Sequence, residues 1–122
     1  MSGEPGTAGV AVAVDVAAIE RGGTSGAVWS LPHGGDLDAN AVVLQPGDAV
    51  GAHVNDEVDV VVIGVSGHGA VEIDGNDHRL AAGWLVFVPK GATRSIAAAR
   101  DEGVVYVTVH RARSGLRIAA KR

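Results

Sequence analysis

The chain contains no cysteine. Disulfides, zinc–thiolate sites, iron–sulfur clusters and thiol nucleophiles are therefore excluded, and any metal must be held by His, carboxylate or amide ligands. Aromatic residues are scarce: two Trp, one Tyr and one Phe in 122 residues. Trp29 and Trp84 accordingly read as core or interface residues rather than a stacking platform. An excess of basic residues is missing too, with 10 Lys+Arg against 14 Asp+Glu and a formal net charge of −4. A nucleic-acid surface needs a basic face, so no nucleic-acid partner is expected. The one basic cluster, Arg111, Arg113, Arg117, Lys121 and Arg122, reads as a solvated tail. No apolar run approaches the roughly 20 residues of a membrane-spanning helix. No basic region precedes the apolar stretch 10–19, which Asp15 interrupts, so neither a signal peptide nor a membrane partner is expected. A cytoplasmic location is the default.

Glycine and valine are what the chain has in quantity. There are 18 glycines, about twice the usual share, and they are dispersed between short apolar runs. That pattern means many turns rather than one flexible linker. Val is the dominant large apolar residue, and β-branched side chains fit a pleated surface. The length suffices for one core and not for two. The pattern predicts one domain over 10–118, with a disordered tail at 1–9 and a basic tail at 119–122.

About ten short strands are legible, with turn signals every 8–12 residues and no amphipathic helix. The segment 10–16 suits a strand, although its alanines leave a helix open. The run 58–65 is apolar on both parities, as in a strand buried on two faces. Ser66-Gly67 closes it, and 70–74 reads as the next strand. Asp74-Gly75 is a hairpin turn signal. The tail from Ser114 adds a final edge segment through Leu116 and Ile118. An all-β sandwich or barrel follows from this pattern alone.

The candidate chemistry lies in 47–69. His53, Asn55, Glu57 and Asp59 occupy every second position, which places them on one face if the backbone stays extended. One His with carboxylate and amide oxygen is a hard donor set that suits Mn²⁺, Fe²⁺ or Mg²⁺. Asn55-Asp56 is also a good turn, and a turn would break the alternation. Tyr106, Thr108 and His110 share a second polar face, either solvent or interior. His68 and His78 read as solvated. His33 lies in the loop 32–38, as surface decoration or, with Asp36 and Asn40, as a lid.

The spacing of two Gly/Pro segments resembles that of the cupin superfamily. Gly47, five residues, then His53-Val54-Asn55 is similar to the first cupin motif, with Asn in its second His place. Gly83, five residues, then Pro89-Lys90-Gly91, two residues and Arg94 is similar to the second, with Arg in its His place. The resemblance implies a cupin-type double-stranded β-helix, a jelly-roll barrel, and a homodimer of such barrels. It implies a metal held by three His and one Glu, of which this chain keeps His53. The Glu place counts forward to Asp59 and backward from Gly67 to Val60. A slip of one residue changes the face.

The expected function is small-molecule binding in a polar pocket inside the barrel. Asn55, Glu57, Arg94, Tyr106 and His110 are the ligand-binding candidates. His53, Asn55 and Asp59 are the metal candidates, for Mn, Fe or another divalent ion, with a metal-free site as the alternative. Arg94 pairs internally with Asp59 or Glu57, or it binds an anionic ligand. His53 is then a hydrogen-bonding group or a general base. The alternatives are a metal-dependent oxygenase, a metal-free isomerase or epimerase using His53, or a non-catalytic structural subunit.

Overall fold

The computed structural model describes residues 10–32 and 35–112. The tails at 1–9 and 119–122, the edge segment from Ser114 and His33 lie outside the described residues. Eight strands follow one 3₁₀ turn at Val16–Ala18: β1 Gly26–Ser30, β2 Leu37–Leu44, β3 Ala49–Val54, β4 Val60–Ile73, β5 Asn76–Ala81, β6 Leu85–Val88, β7 Thr93–Ala98 and β8 Val104–Arg111. Among the described residues no helix is long and apolar enough to cross a membrane.

All pairings are antiparallel. The first half of β4 lies between β8 and β6, and β8 continues to β2 and β1. The second half of β4 lies between β7 and β5, and β7 continues to β3. One long strand thus belongs to two sheets, and the chain curls into a double-layered, double-stranded β-helix. The buried side chains of both sheets meet in one cluster, including Val60, Val62, Val71, Leu80, Val88, Ile96 and Tyr106.

The structure corrects two expectations about elements. Residues 10–15 are extended and belong to no strand, and they lead into the 3₁₀ turn. The runs 58–65 and 70–74 are parts of one 14-residue strand. Ser66-Gly67 bends that strand instead of ending it. A register shift lies between Gly64 and Ser66, and Gly67 has φ +70°. An extra residue in one strand bends it and increases the local twist, and the ladder is disrupted only locally.

Gly64 and Gly67 make this bend possible by close approach. Gly64 donates to the Trp84 carbonyl at 2.8 Å and accepts from Gly83 N–H at 3.0 Å, so the turn after β5 sits on its backbone. A Cβ at Gly64 would overlap the Ala81 carbonyl, and one at Gly67 would overlap that of Gly103. Gly67→Ala combines this overlap with a left-handed φ. It is expected to lower stability by about 2 kcal/mol, read as a shifted midpoint in chemical denaturation. An unshifted midpoint would contradict the close packing at this bend.

Candidate functional site

The inner surface of the β3–β7 pair is set by a bulge. Val50 faces Ile96, and both pack on the core. The next aligned pair is His53 opposite Arg94, so two residues of β3, Gly51 and Ala52, oppose one of β7. This extra residue brings an odd-numbered His onto the same inward face as an even-numbered Val. Arg94 is flanked on its other side by Ile73 of β4. His53 is exposed and Arg94 half-buried, which puts His53 at the rim and the guanidinium deeper. Arg94 Nε is fully shielded from solvent.

Asn55 is two positions beyond His53 and anchors the turn after β3. Its Oδ1 accepts from the backbone N–H of Glu57 at 2.9 Å and of Val58 at 3.2 Å. Its carbonyl accepts from Gly91 N–H at 2.7 Å. Only the amide oxygen can accept these bonds, so the orientation of the group is fixed. The NH₂ is left over. Asn55 Nδ2 is buried and has no hydrogen-bond partner among the described residues. A buried donor without an acceptor costs about 1–3 kcal/mol, which an incoming oxygen atom would recover.

The opposing inner surface comes from the other sheet. Its cross-strand rows are Val60–His110–Asp38, Val62–Thr108–Asn40 and Gly64–Tyr106–Val42. The β4 side of these rows is apolar and the β2 side polar. Ser30 Oγ donates to Asn40 Oδ1 at 2.6 Å. Tyr106 is 2% exposed. Burial pushes its phenol up to about 12 from 10.0, and the charge of Arg94 offsets part of that rise. This coupling ties the two inner surfaces together: Arg94 of one sheet acts on Tyr106 of the other.

The Tyr106 shift has a measurable consequence. A phenol whose folded pKa exceeds its unfolded value holds its proton more tightly in the folded state. The associated stability is complete below pH 10 and is lost as pH rises from 10 through about 12. Two units correspond to roughly 2–3 kcal/mol. Denaturation curves across that window should show the loss, and Tyr106→Phe should remove it. The chain has one Tyr, so near-ultraviolet phenolate absorbance reads this residue alone. A phenolate midpoint near 10 would contradict its burial.

The histidines are poised as acceptors. His53 Nδ1 lies 3.1 Å from the Gly51 carbonyl and His110 Nδ1 lies 2.8 Å from the Arg111 carbonyl. A carbonyl only accepts, so Nδ1 carries the hydrogen in each and the lone pair of the neutral ring is on Nε2. Either ring is then chemically competent as a base. His68 and His78 are exposed, and His68 Nε2 is 3.4 Å from Glu102.

Several expected site residues are placed differently. Asp59 is exposed, and its Oδ1 accepts from Lys90 N–H at 2.9 Å. Val60 is 2% exposed within the core. Val60 thus faces inward and Asp59 outward, so the carboxylate place of the resemblance holds an apolar side chain. Glu57 is half-buried in the turn, where its carbonyl accepts from Arg111 Nη2 at 3.3 Å. The expected single face of His53, Asn55, Glu57 and Asp59 is broken by the Asn55 turn. Sequence reasoning gave Asp38 and Ser30 no site role and offered Asn40 only as part of a lid. The register of β2 against His110 and Thr108 is what brings Asp38 and Asn40 inward.

These residues do not fit a divalent metal. Asn55 spends its oxygen on two backbone donors and presents an NH₂, which cannot ligate. Asp59 is turned outward, Val60 has no donor atom, and Arg94 brings a positive charge opposite His53. Among the described residues no three His, Cys, Asp or Glu stand close enough to hold a metal. The structure does not bring His53, Asn55 and Asp59 together as one donor set.

A curled antiparallel double sheet that closes around one core defines a jelly-roll barrel architecture. The chain belongs to the cupin family, whose cupin domain matches residues 40–110. No curated protein matches it. Solved structures share the fold at low identity. TT1209 from Thermus thermophilus is 21% identical, with 84% of this chain and 98% of that chain covered and a TM-score of 0.72. The Cnp3 cupin domain of Schizosaccharomyces pombe is 17% identical, with 90% and 80% covered and a TM-score of 0.71. KdgF from Halomonas sp. is 23% identical, with 72% and 80% covered and a TM-score of 0.62.

Proposed function

We propose that this cupin binds a small carboxylate-bearing molecule on the inner surface of its barrel, without a metal. The observation that carries the reading is the buried Nδ2 donor of Asn55, which has no partner among the described residues. Asn55 lies two residues beyond His53, which stands opposite Arg94. A carboxylate supplies the acceptor that Asn55 lacks and matches the positive charge of Arg94. Tyr106, which keeps its proton at neutral pH, Thr108 and His110 line the facing surface. Specificity then comes from donors on one wall and apolar Val60 and Val62 beside them.

A second reading rests on His53. Its Nδ1 is held by the Gly51 carbonyl at 3.1 Å, which leaves the lone pair on Nε2. A carboxylate substrate held by Asn55 and Arg94 could lose a proton to that nitrogen. This is the chemistry of a metal-free isomerase or epimerase, with the cationic side chain stabilising the developing oxyanion.

The test is thermal unfolding of chelator-treated protein against acetate, succinate, citrate, inorganic phosphate and neutral glycerol. A ligand at a hundred times its Kd adds about 2.7 kcal/mol, which raises Tm by several degrees in a domain of this size. At least one carboxylate should do so, and glycerol should not. Stabilisation that appears only after Mn²⁺ or Fe²⁺ is added would contradict the proposal.

A further inference from the structure

The two walls of the barrel carry different chemistry at the end away from the bend of β4. β5 runs on into β6 along one edge of β4, so β7 and β8 share the other edge. Val60 stands six positions before Ser66 and Ile73 six after Gly67, on the two arms of the bent strand. Both side chains pack on the core, so both arms present these positions inward. From Ile73 the inner row runs to Arg94 and His53. From Val60 it runs to His110 and Asp38. Arg94 and His110 are each one strand from β4, and His53 and Asp38 each two. The two rows therefore face one another across the interior, in sheets about 10 Å apart.

The cation stands in one row and the anion in the other. Arg94 brings the positive charge, and the buried Asn55 Nδ2 donor lies two residues beyond His53. On the opposite wall Asp38 is half-buried. Its carboxylate makes no hydrogen bond or ion pair among the described residues. His110, its cross-strand neighbour, gives its Nδ1 hydrogen to the Arg111 carbonyl at 2.8 Å. The neutral ring is then an acceptor at Nε2. Two positions along β2, Asn40 Oδ1 is occupied by Ser30. A carboxylate and an imidazole thus stand side by side as acceptors. A carboxylate taken partly out of water without a donor is unfavourable, and a second anion brought near it is repelled. An ammonium group relieves both effects, because it carries the opposite charge and three N–H donors.

We infer that the ligand is an amino acid whose ammonium group is held by Asp38 and His110, an assignment that rests on the carboxylate reading above and adds a second contact to it. A zwitterion sets each of its charges against the wall that matches it. The chain carries a net charge of −4, and a ligand with no net charge approaches it without repulsion. Selectivity for the ammonium group then belongs to one side chain of β2. It is separable from the carboxylate contact on the other wall.

Calorimetric titration of the chelator-treated full chain compares glycine with propionate, β-alanine with butyrate, and 4-aminobutyrate with pentanoate. Within each pair an ammonium group replaces a methyl group. One amino acid should bind at least about tenfold more tightly than its methyl partner, as expected for a hydrogen bond between charged groups. Asp38→Asn should bring that pair within about twofold and leave the affinity of the methyl member unchanged, which also shows that the barrel is folded. Glu72→Gln removes the same charge from the outer surface, where Glu72 accepts from Ser95 at 3.3 Å, and should keep the preference. Equal affinities within every pair would overturn the inference and leave the carboxylate site standing. A preference that survives Asp38→Asn, as when Glu57 holds the ammonium, would overturn it too. So would loss of both members in Asp38→Asn, which would make Asp38 structural. Binding by no member of any pair would remove the carboxylate site itself, and the inference with it.

Discussion

Val60→Asp lowers stability by about 3–5 kcal/mol, whereas Asp59→Ala next to it costs about 1 kcal/mol. The contrast follows from which of the two faces the interior. Val60 is 2% exposed, aligned between Val88 and His110 and packed in the core. A carboxylate there loses its hydration inside a wall of valines, and a buried charge without a partner costs several kcal/mol. Domains of this size are stable by about 5–15 kcal/mol in total, so the variant is close to unfolded at room temperature. Asp59 is exposed and holds one backbone donor, Lys90 N–H. Removing it leaves that N–H to water. Urea midpoints of the two variants decide the matter. Equal losses, or a larger loss for Asp59→Ala, would show that the inward residue has been misassigned.

Asn55→Asp weakens carboxylate binding by a hundredfold or more, roughly 3 kcal/mol, while leaving the fold intact. The Asn side chain has two separable duties. Its oxygen ties Glu57 N–H and Val58 N–H, and its nitrogen is the buried donor with no partner among the described residues. Aspartate keeps the first duty, with a charged acceptor in place of a neutral one. It reverses the second, setting an acceptor where the ligand's own oxygen must sit. A lost charge-assisted hydrogen bond and a like-charge contact act together. Asn55→Ala provides the complement: it removes the turn bonds as well, and stability falls by about 1–2 kcal/mol. Calorimetric titration of succinate into both variants separates binding from folding. Wild-type affinity in Asn55→Asp would remove Asn55 from the site.

The architecture was legible because it rests on local signals that survive in one sequence. Valine-rich runs, Asp74-Gly75 and the two Gly/Pro segments each correspond to a strand, a turn or a strand end in the structure. The apolar character of 60–65 on both parities was legible too, and it corresponds to one face in the core and one on the outer sheet surface. What failed was counting through irregular backbone. Alternation from His53 to Asp59 required an extended backbone, and the alternative, a turn at Asn55-Asp56, is what forms: Asn55 closes on Glu57 and Val58. The inward frame restarts at Val58 and Val60, both buried. The bulge before His53 and the bend at Gly67 are further one-residue shifts of this kind. Turn residues such as Ser66-Gly67 look alike whether they end a strand or bend it, because the difference lies in what packs against them. The inward role of Asp38 and Asn40 depended on pairing between β2 and β8, strands far apart in sequence. Their alternation with Val42 and Leu44 was the available signal.

One measurement bears most directly on a barrel that binds a carboxylate through protein donors alone. Succinate, or whichever carboxylate stabilises best, is titrated calorimetrically into exhaustively chelated protein and again after addition of Mn²⁺ or Fe²⁺. The expected result is saturable one-site binding in the chelated protein, with an affinity that the metal leaves unchanged. Binding that is absent after chelation and restored by the metal would contradict it.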